Sequence, residues 1–192
     1  MNAHSLTKNS GSTDLHKAIL AAIALLSAML LSSGCSALRH TPTSASLSAD
    51  DVSSMSVSDC SKARRVIVRA ARSRRGCPYK SAGKGPYSFD CSGLTSYAYN
   101  AVGITLKPTA AQQYTQGRQI GKRKPLKKGD LVFFGGSTKA GSVSHVGIVV
   151  SYRQSDKSFT FVHAANSGVE LQKSTNSYYR KRYLGARRIL PH

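Results

Sequence analysis

The chain sorts its hydrophobic patterns by region, and that sorting limits the folds open to it. In the first part of the domain, apolar residues recur at helical spacing. Later they fall in short β-branched runs bounded by turn residues. The predicted order is a helix over 61–75, a helix over 92–102 and a short helix over 109–115. Strands follow near Leu131, His145, Phe161, Val169 and Arg187. Helices first and antiparallel strands after imply an α+β fold, with N-terminal helices packed on a mostly antiparallel sheet. At 192 residues the chain can bury one ordinary core. It has no internal repeat. No cluster has metal-ligand spacing: there is neither a CxxC pair nor an HExxH.

At the joint between loop and helix sits Phe89-Asp90-Cys91-Ser92-Gly93-Leu94. The stretch before it, Lys80 to Tyr87, is broken by Gly83, Gly85 and Pro86. After it, Leu94, Tyr97, Ala98 and Ala101 form one helical face, and Gly103 is a candidate C-terminal cap. Cys91 is therefore expected at or just before a helix N-terminus. There, unpaired amides and the positive end of the helix dipole lower a thiol pKa and favour the nucleophilic thiolate. Gly93 leaves no side chain in the way of an approaching substrate.

Two histidines follow on predicted strands. Ser144 to Ser151 puts Val146, Ile148 and Val150 on one face and His145, Gly147 and Val149 on the other. Phe159 to His163 puts Phe159, Phe161 and His163 on one face, and a polar linker of hairpin length, Tyr152 to Ser158, joins the two. Antiparallel neighbours of this kind bring His145 and His163 side by side. One can then take the Cys91 proton while the other fixes its tautomer. The residues alone leave open which histidine touches Cys91. His4, His16, His40 and His192 receive no role.

These blocks resemble the NlpC family of bacterial cell-wall cysteine peptidases. The likeness runs over 63–190. It is carried by Gly76-Cys77-Pro78-Tyr79, Phe89 to Leu94, Pro108 to Gln113, Lys128 to Phe134, Ser144 to Ile148 and Phe161 to Ala164. The resemblance implies a compact papain-like α+β fold and a Cys91–His145–His163 triad of nucleophile, base and third polar member. It places Tyr79 near the oxyanion, with the Cys91 amide as a second donor. It also sets Asp90 and Ser92 against the substrate, although Asp90 equally suits a helix cap. The implied reaction is hydrolysis of a peptidoglycan stem peptide, usually between the γ-carboxyl of D-glutamate and diaminopimelate or lysine, with no cofactor. The alternative is an inactive, basic wall-binding lipoprotein; a related amidase or acyltransferase would share the thiol chemistry. Relatives that require a free N-terminal L-alanine often carry an extra β-barrel, for which the segment before Cys60 has no room.

The N-terminal region reads as an address. Lys8, His16 and Lys17 precede the apolar run Ala18 to Leu31, a signal-peptide core too short to span a membrane comfortably. Leu31-Ser32-Ser33-Gly34-Cys35 looks like a lipobox, so Cys35 is the expected acylation site and the membrane a partner through lipid. Ser36 suggests outer-membrane sorting, facing the periplasm. The expected organisation is a lipoprotein signal peptide at 1–34, a flexible Ser/Thr-rich tether at 35–58, and a monomeric catalytic domain at 59–192. Asp59 reads as a helix N-cap and Gly76 with Pro78 as the stop. Cys60 and Cys77 lie at opposite ends of that helix, about 22 Å apart, too far for a disulfide between them; both are expected as thiols. The net charge of +20 concentrates at 64–75, 122–128 and 180–188 and suits anionic wall components or lipid heads. The leader argues against nucleic acid as a partner.

Overall fold

Asp130 has no exposed surface and two arginines close on it, and around this cluster the ends of the fold are tied together. The computed structural model describes residues 46–121, 124–136 and 141–192. The leader read at 1–34 and the lipidation site read at Cys35 lie outside the described residues. The described residues all belong to one compact unit.

The helices are α1 (Ala49–Ser53), α2 (Val57–Arg72), α3 (Cys91–Asn100), α4 (Ala110–Gln113) and α5 (Ser177–Arg182). The strands are β1 (Arg118–Ile120), β2 (Leu131–Gly135), β3 (Val143–Tyr152), β4 (Phe159–Ala165), β5 (Gly168–Lys173) and β6 (Tyr183–Arg188). They form one sheet in the order β1-β6-β2-β3-β4-β5, and every pairing is antiparallel. The chain thus adopts the expected α+β class.

The two faces of the sheet follow the period of two. Leu131, Phe133, Val146, Ile148, Val162 and Ala164 pack in one core with the apolar faces of α2 and α3. Val132, Phe134, Val149, Phe159 and Phe161 build a second core on the opposite face. Each fully buried Leu, Ile, Val or Phe here stabilises by about 1.5–3 kcal/mol relative to exposure.

Helix α2 starts earlier than the sequence suggested. Its N-cap is Ser56, not Asp59: Ser56 Oγ accepts from the Asp59 amide at 3.1 Å and donates to Asp59 Oδ2 at 2.7 Å. Asp59 is the third residue of the helix, where the first turn favours its negative charge. The helix stops at Arg72, and Gly76, at φ +84°, takes the left-handed turn out of it. The stretch expected as a flexible tether is ordered at its end. Ser48 and Asp51 cap α1 reciprocally, and the Leu47 amide donates to Gly103 O at 2.7 Å.

Two expectations about cysteine and charge change. Cys60 is buried and free, but Cys77 is disulfide-bonded and carries no thiol. Of the arginines read as one basic helix face, Arg64 and Arg74 are buried. Arg64 joins Asp130, while Arg74 lies over the Tyr97 ring, 5.1 Å from its centre. Arg65, Arg69, Arg72 and Arg75 remain exposed.

Candidate active site

Cys91 is the first residue of α3, and Asp90 is its N-cap. Asp90 Oδ1 accepts from the Gly93 amide at 2.5 Å, which fixes the first turn. Lys84 Nζ lies 3.1 Å from Asp90 Oδ2 and pairs its charge. Ser92 is buried, and its hydroxyl lies 2.9 Å from both Asp90 Oδ1 and Pro108 O, two acceptors that share its one proton. Gly93 serves packing rather than access. A Cβ there would lie 2.0 Å from the Gly83 carbonyl oxygen, so the loop and the helix can meet only over glycine. Gln113, fully buried, closes the turn from behind. Its Nε2 donates to Ser92 O at 3.2 Å and Lys107 O at 2.9 Å, and its Oε1 accepts from Thr95 Oγ1 at 2.8 Å.

The two histidines meet as the strand pattern suggested. His145 Nε2 and His163 Nδ1 are 2.9 Å apart, with the rings nearly perpendicular at 88°. Gly147 makes the approach possible. A Cβ at that position would lie 2.6 Å from the Phe161 ring and 3.3 Å from His163 Cβ. On the far side, Phe161 and Tyr179 wall His163, with ring centres 4.9 and 5.1 Å away.

Cys91 approaches the same strand. The Val146 amide hydrogen-bonds to its sulfur, and Val146 is the residue after His145. Thiol and imidazole thus converge on one pair of β3 residues. His145 has Nε2 engaged by His163, which leaves Nδ1 as the nitrogen free to serve as a base. Tyr79 stands close enough that the charges of Cys91 and Asp90 reinforce burial in raising its phenol pKa. It is 39% exposed and keeps its hydroxyl proton at neutral pH.

The protonation state differs from the one the helix N-terminus suggested. Burial raises the Cys91 thiol pKa, and the Asp90 charge adds to it. The amides of Val146, Ser92 and Cys91 itself oppose the rise without reversing it. Burial also lowers His145 to about 4, and burial with the His145 charge lowers His163 to about 3. At neutral pH the resting pair is therefore a thiol and a neutral imidazole, not a preformed ion pair. The arrangement suits a base that takes the thiol proton as the sulfur attacks.

Glu170, Tyr179 and Asp130 were not singled out from sequence. Glu170 and Tyr179 line, with His145, Ser144, Asn166 and Tyr178, a cleft of about 470 Å³ on the histidine side. The register His163↔Glu170 is the signal that finds Glu170, and it exists only once β4 and β5 are paired.

The NlpC/P60 family model matches residues 76–188. The chain belongs to the NlpC/P60 family. A probable endopeptidase of Corynebacterium glutamicum is 38% identical over 115 residues, 59% of this chain and 49% of that one. The gamma-D-glutamyl-L-lysine dipeptidyl-peptidase of Bacillus cereus is 34% identical over 125 residues, 65% of this chain and 36% of that one. A solved NlpC/P60 family structure from Bacillus cereus superposes with a TM-score of 0.59 at 33% identity, covering 67% of this chain and 40% of that one. The peptidoglycan hydrolase RipB of Mycobacterium tuberculosis gives 0.57 at 26% identity, covering 73% and 71%. The papain-like fold implied by the NlpC/P60 motifs is the fold the chain has. It spans about half the length of the first two curated relatives it matches, at 49% and 48%.

Proposed function

We propose that this NlpC/P60 chain is a cysteine endopeptidase of peptidoglycan stem peptides, with Cys91 as nucleophile, His145 as base and His163 as the group that orients it. The observation that carries this reading is the 2.9 Å contact between His145 Nε2 and His163 Nδ1, with the Cys91 sulfur accepting from the amide of the next β3 residue, Val146. Attack of the Cys91 sulfur on the scissile carbonyl moves the thiol proton to His145 Nδ1. The oxyanion accepts from the Cys91 amide and the Tyr79 hydroxyl. Collapse of the tetrahedral adduct breaks the amide bond, and His145 returns its proton to the leaving amine. Water then hydrolyses the thioester with His145 again as base. Asp90 and Ser92 act here mainly by holding the first turn of α3, since their polar atoms are bonded within the chain.

The bond we propose is the one from the γ-carboxyl of D-glutamate to diaminopimelate or lysine. It is supported by the Bacillus cereus relative named a gamma-D-glutamyl-L-lysine dipeptidyl-peptidase. An Escherichia coli relative, 35% identical over 134 residues, is named a murein DD-endopeptidase, so the bond is to be measured. Mass spectrometry of purified muropeptides after digestion tests both points. Fragments ending in γ-D-glutamate are expected. Intact muropeptides would remove the enzymatic reading, and cleavage at a D-alanine bond would correct the substrate bond.

The proposal extends to the cell envelope, with the chain acylated at Cys35 and probing the wall from a membrane. The leader sequence supports this. One observation favours the second reading, a wall-binding protein. Arg65, Arg69, Arg72, Arg75 and Lys128 line a single surface depression of about 460 Å³ with no acidic residue in its lining. Such a surface attracts anionic wall components in an active or an inactive protein.

A further inference from the structure

His163 has no exposed surface, and its Nε2 makes no hydrogen bond. A buried, unsatisfied ring nitrogen is costly unless something answers it. One carboxylate faces it. Glu170 lies directly opposite His163 in the β4–β5 register, with Oε1 3.6 Å from Nε2. The gap is a few tenths of an ångström beyond a hydrogen bond. The Glu170 side chain is 41% exposed, so its torsions are free to close it.

We infer that Glu170 is a positioning residue which sets the tautomers of both histidines and thereby leaves a lone pair on His145 Nδ1. The inference rests on the reading of Cys91, His145 and His163 as the reacting groups. Each neutral ring carries one N–H, and one hydrogen lies between His145 Nε2 and His163 Nδ1. If His163 donates it, His163 Nε2 is a bare lone pair pointed at a carboxylate, and His145 carries its own hydrogen on Nδ1. That state places two acceptors face to face and removes the base. If His145 donates it, the His163 hydrogen sits on Nε2 and points at Glu170, and His145 Nδ1 is free to take a proton. A carboxylate at this position stabilises only the second state. It also stabilises the positive charge that His145 gains during attack, through one intervening ring.

Among the described residues no other carboxylate pairs with His163. Tyr179, from α5, packs its ring 5.1 Å from His163, and burial followed by the Glu170 charge pushes its phenol up to about 12. It stays neutral beside the pair. The carboxylate of Asp90 is held by Lys84 and the α3 cap.

The test uses Glu170→Ala and Glu170→Gln in the full chain. Histidine tautomers are read by long-range ¹H–¹⁵N spectra, kcat and KM by muropeptide cleavage, and folding by thermal melting. In wild type, both His145 and His163 are expected as Nε2–H tautomers. Glu170→Ala is expected to move His163 toward Nδ1–H and lower kcat by about tenfold, with KM within about twofold. Glu170→Gln, which keeps an acceptor oxygen, is expected to recover most of both. An unchanged His163 tautomer in a folded Glu170→Ala protein overturns the inference, as does a change confined to KM. A shifted tautomer with unchanged kcat overturns instead the assignment of His145 as the base.

Discussion

Replacing Cys91 with Ala is expected to abolish muropeptide cleavage while leaving the fold and the basic surface intact. Loss of one member of an interdependent triad has cost about 10⁶-fold in kcat where it has been dissected. His145→Ala is expected to cost about as much, because a raised thiol with no base has no route to the attacking anion. His163→Ala is expected to cost less, on the order of 10⁴-fold, since it orients rather than reacts. The Cys91→Ala/His145→Ala double variant should be no slower than either single one, the mark of groups that act as a unit. Cys91 is only partly buried, and removing its sulfur leaves the Asp90 cap and the Gln113 bonds untouched. The melting temperature should move little. Cleavage by Cys91→Ala within tenfold of wild type would exclude the thiol as nucleophile. Binding of this variant to sacculi, lost on charge reversal at Arg65, Arg69 and Arg72, would assign retention to the α2 surface.

The second large effect is on stability. Asp130→Ala is expected to cost about 3–5 kcal/mol, lowering the melting temperature by on the order of 10 °C. Asp130 receives Arg188 through two bonds, Nε to Oδ1 at 2.9 Å and an η nitrogen to Oδ2 at 2.7 Å. Arg64 reaches Oδ1 at 3.3 Å, and the Lys127 amide donates to Oδ2 at 2.7 Å. Arg64 also donates to the carbonyls of Lys128, Leu190 and His192. The cluster thus joins α2, the β2 approach, β6 and the C-terminus. Removing the carboxylate leaves two guanidinium groups with little exposure and without the carboxylate they share. Asp130→Asn should be nearly as harmful, since shape is kept and charge is not. Replacing Arg64, Asp130 and Arg188 together with Met, Leu and Met should cost much less, because no buried charge is left unmatched. A loss below about 1 kcal/mol for Asp130→Ala would show that solvent reaches the cluster. The backbone of Asp130 also accepts from the Val149 amide at 2.8 Å, so damage here reaches the strand that carries His145.

The elements legible in the sequence were those with a period of their own. Strand alternation placed His145 and His163 on one face, and the loop before Cys91 placed it at a helix start. Boundaries were harder. Asp59 reads as a cap in the sequence, and only the folded chain shows that Ser56 is the cap and Asp59 the third residue of the helix. Strand β1 has three residues and α5 six, too few for a pattern. Partners remote in sequence were not legible: Asp130 and Arg188 are 58 positions apart, and Glu170 acquires meaning only from its register. The thiol was misread because burial, which raises its pKa, is a property of the assembled fold. The helix N-terminus that lowers it is visible in the residues alone.

The account stands on transfer of the Cys91 proton to His145 during attack, and the thioester that follows can be weighed. Enzyme mixed with a purified muropeptide and quenched in acid should gain the mass of the acyl fragment at Cys91, one per molecule, with the amine fragment released at the same rate. That rate should fall as pH drops through about 4, where His145 becomes protonated and can no longer accept. Cleavage without any adduct at Cys91, or an adduct that forms as fast in His145→Ala, would contradict it.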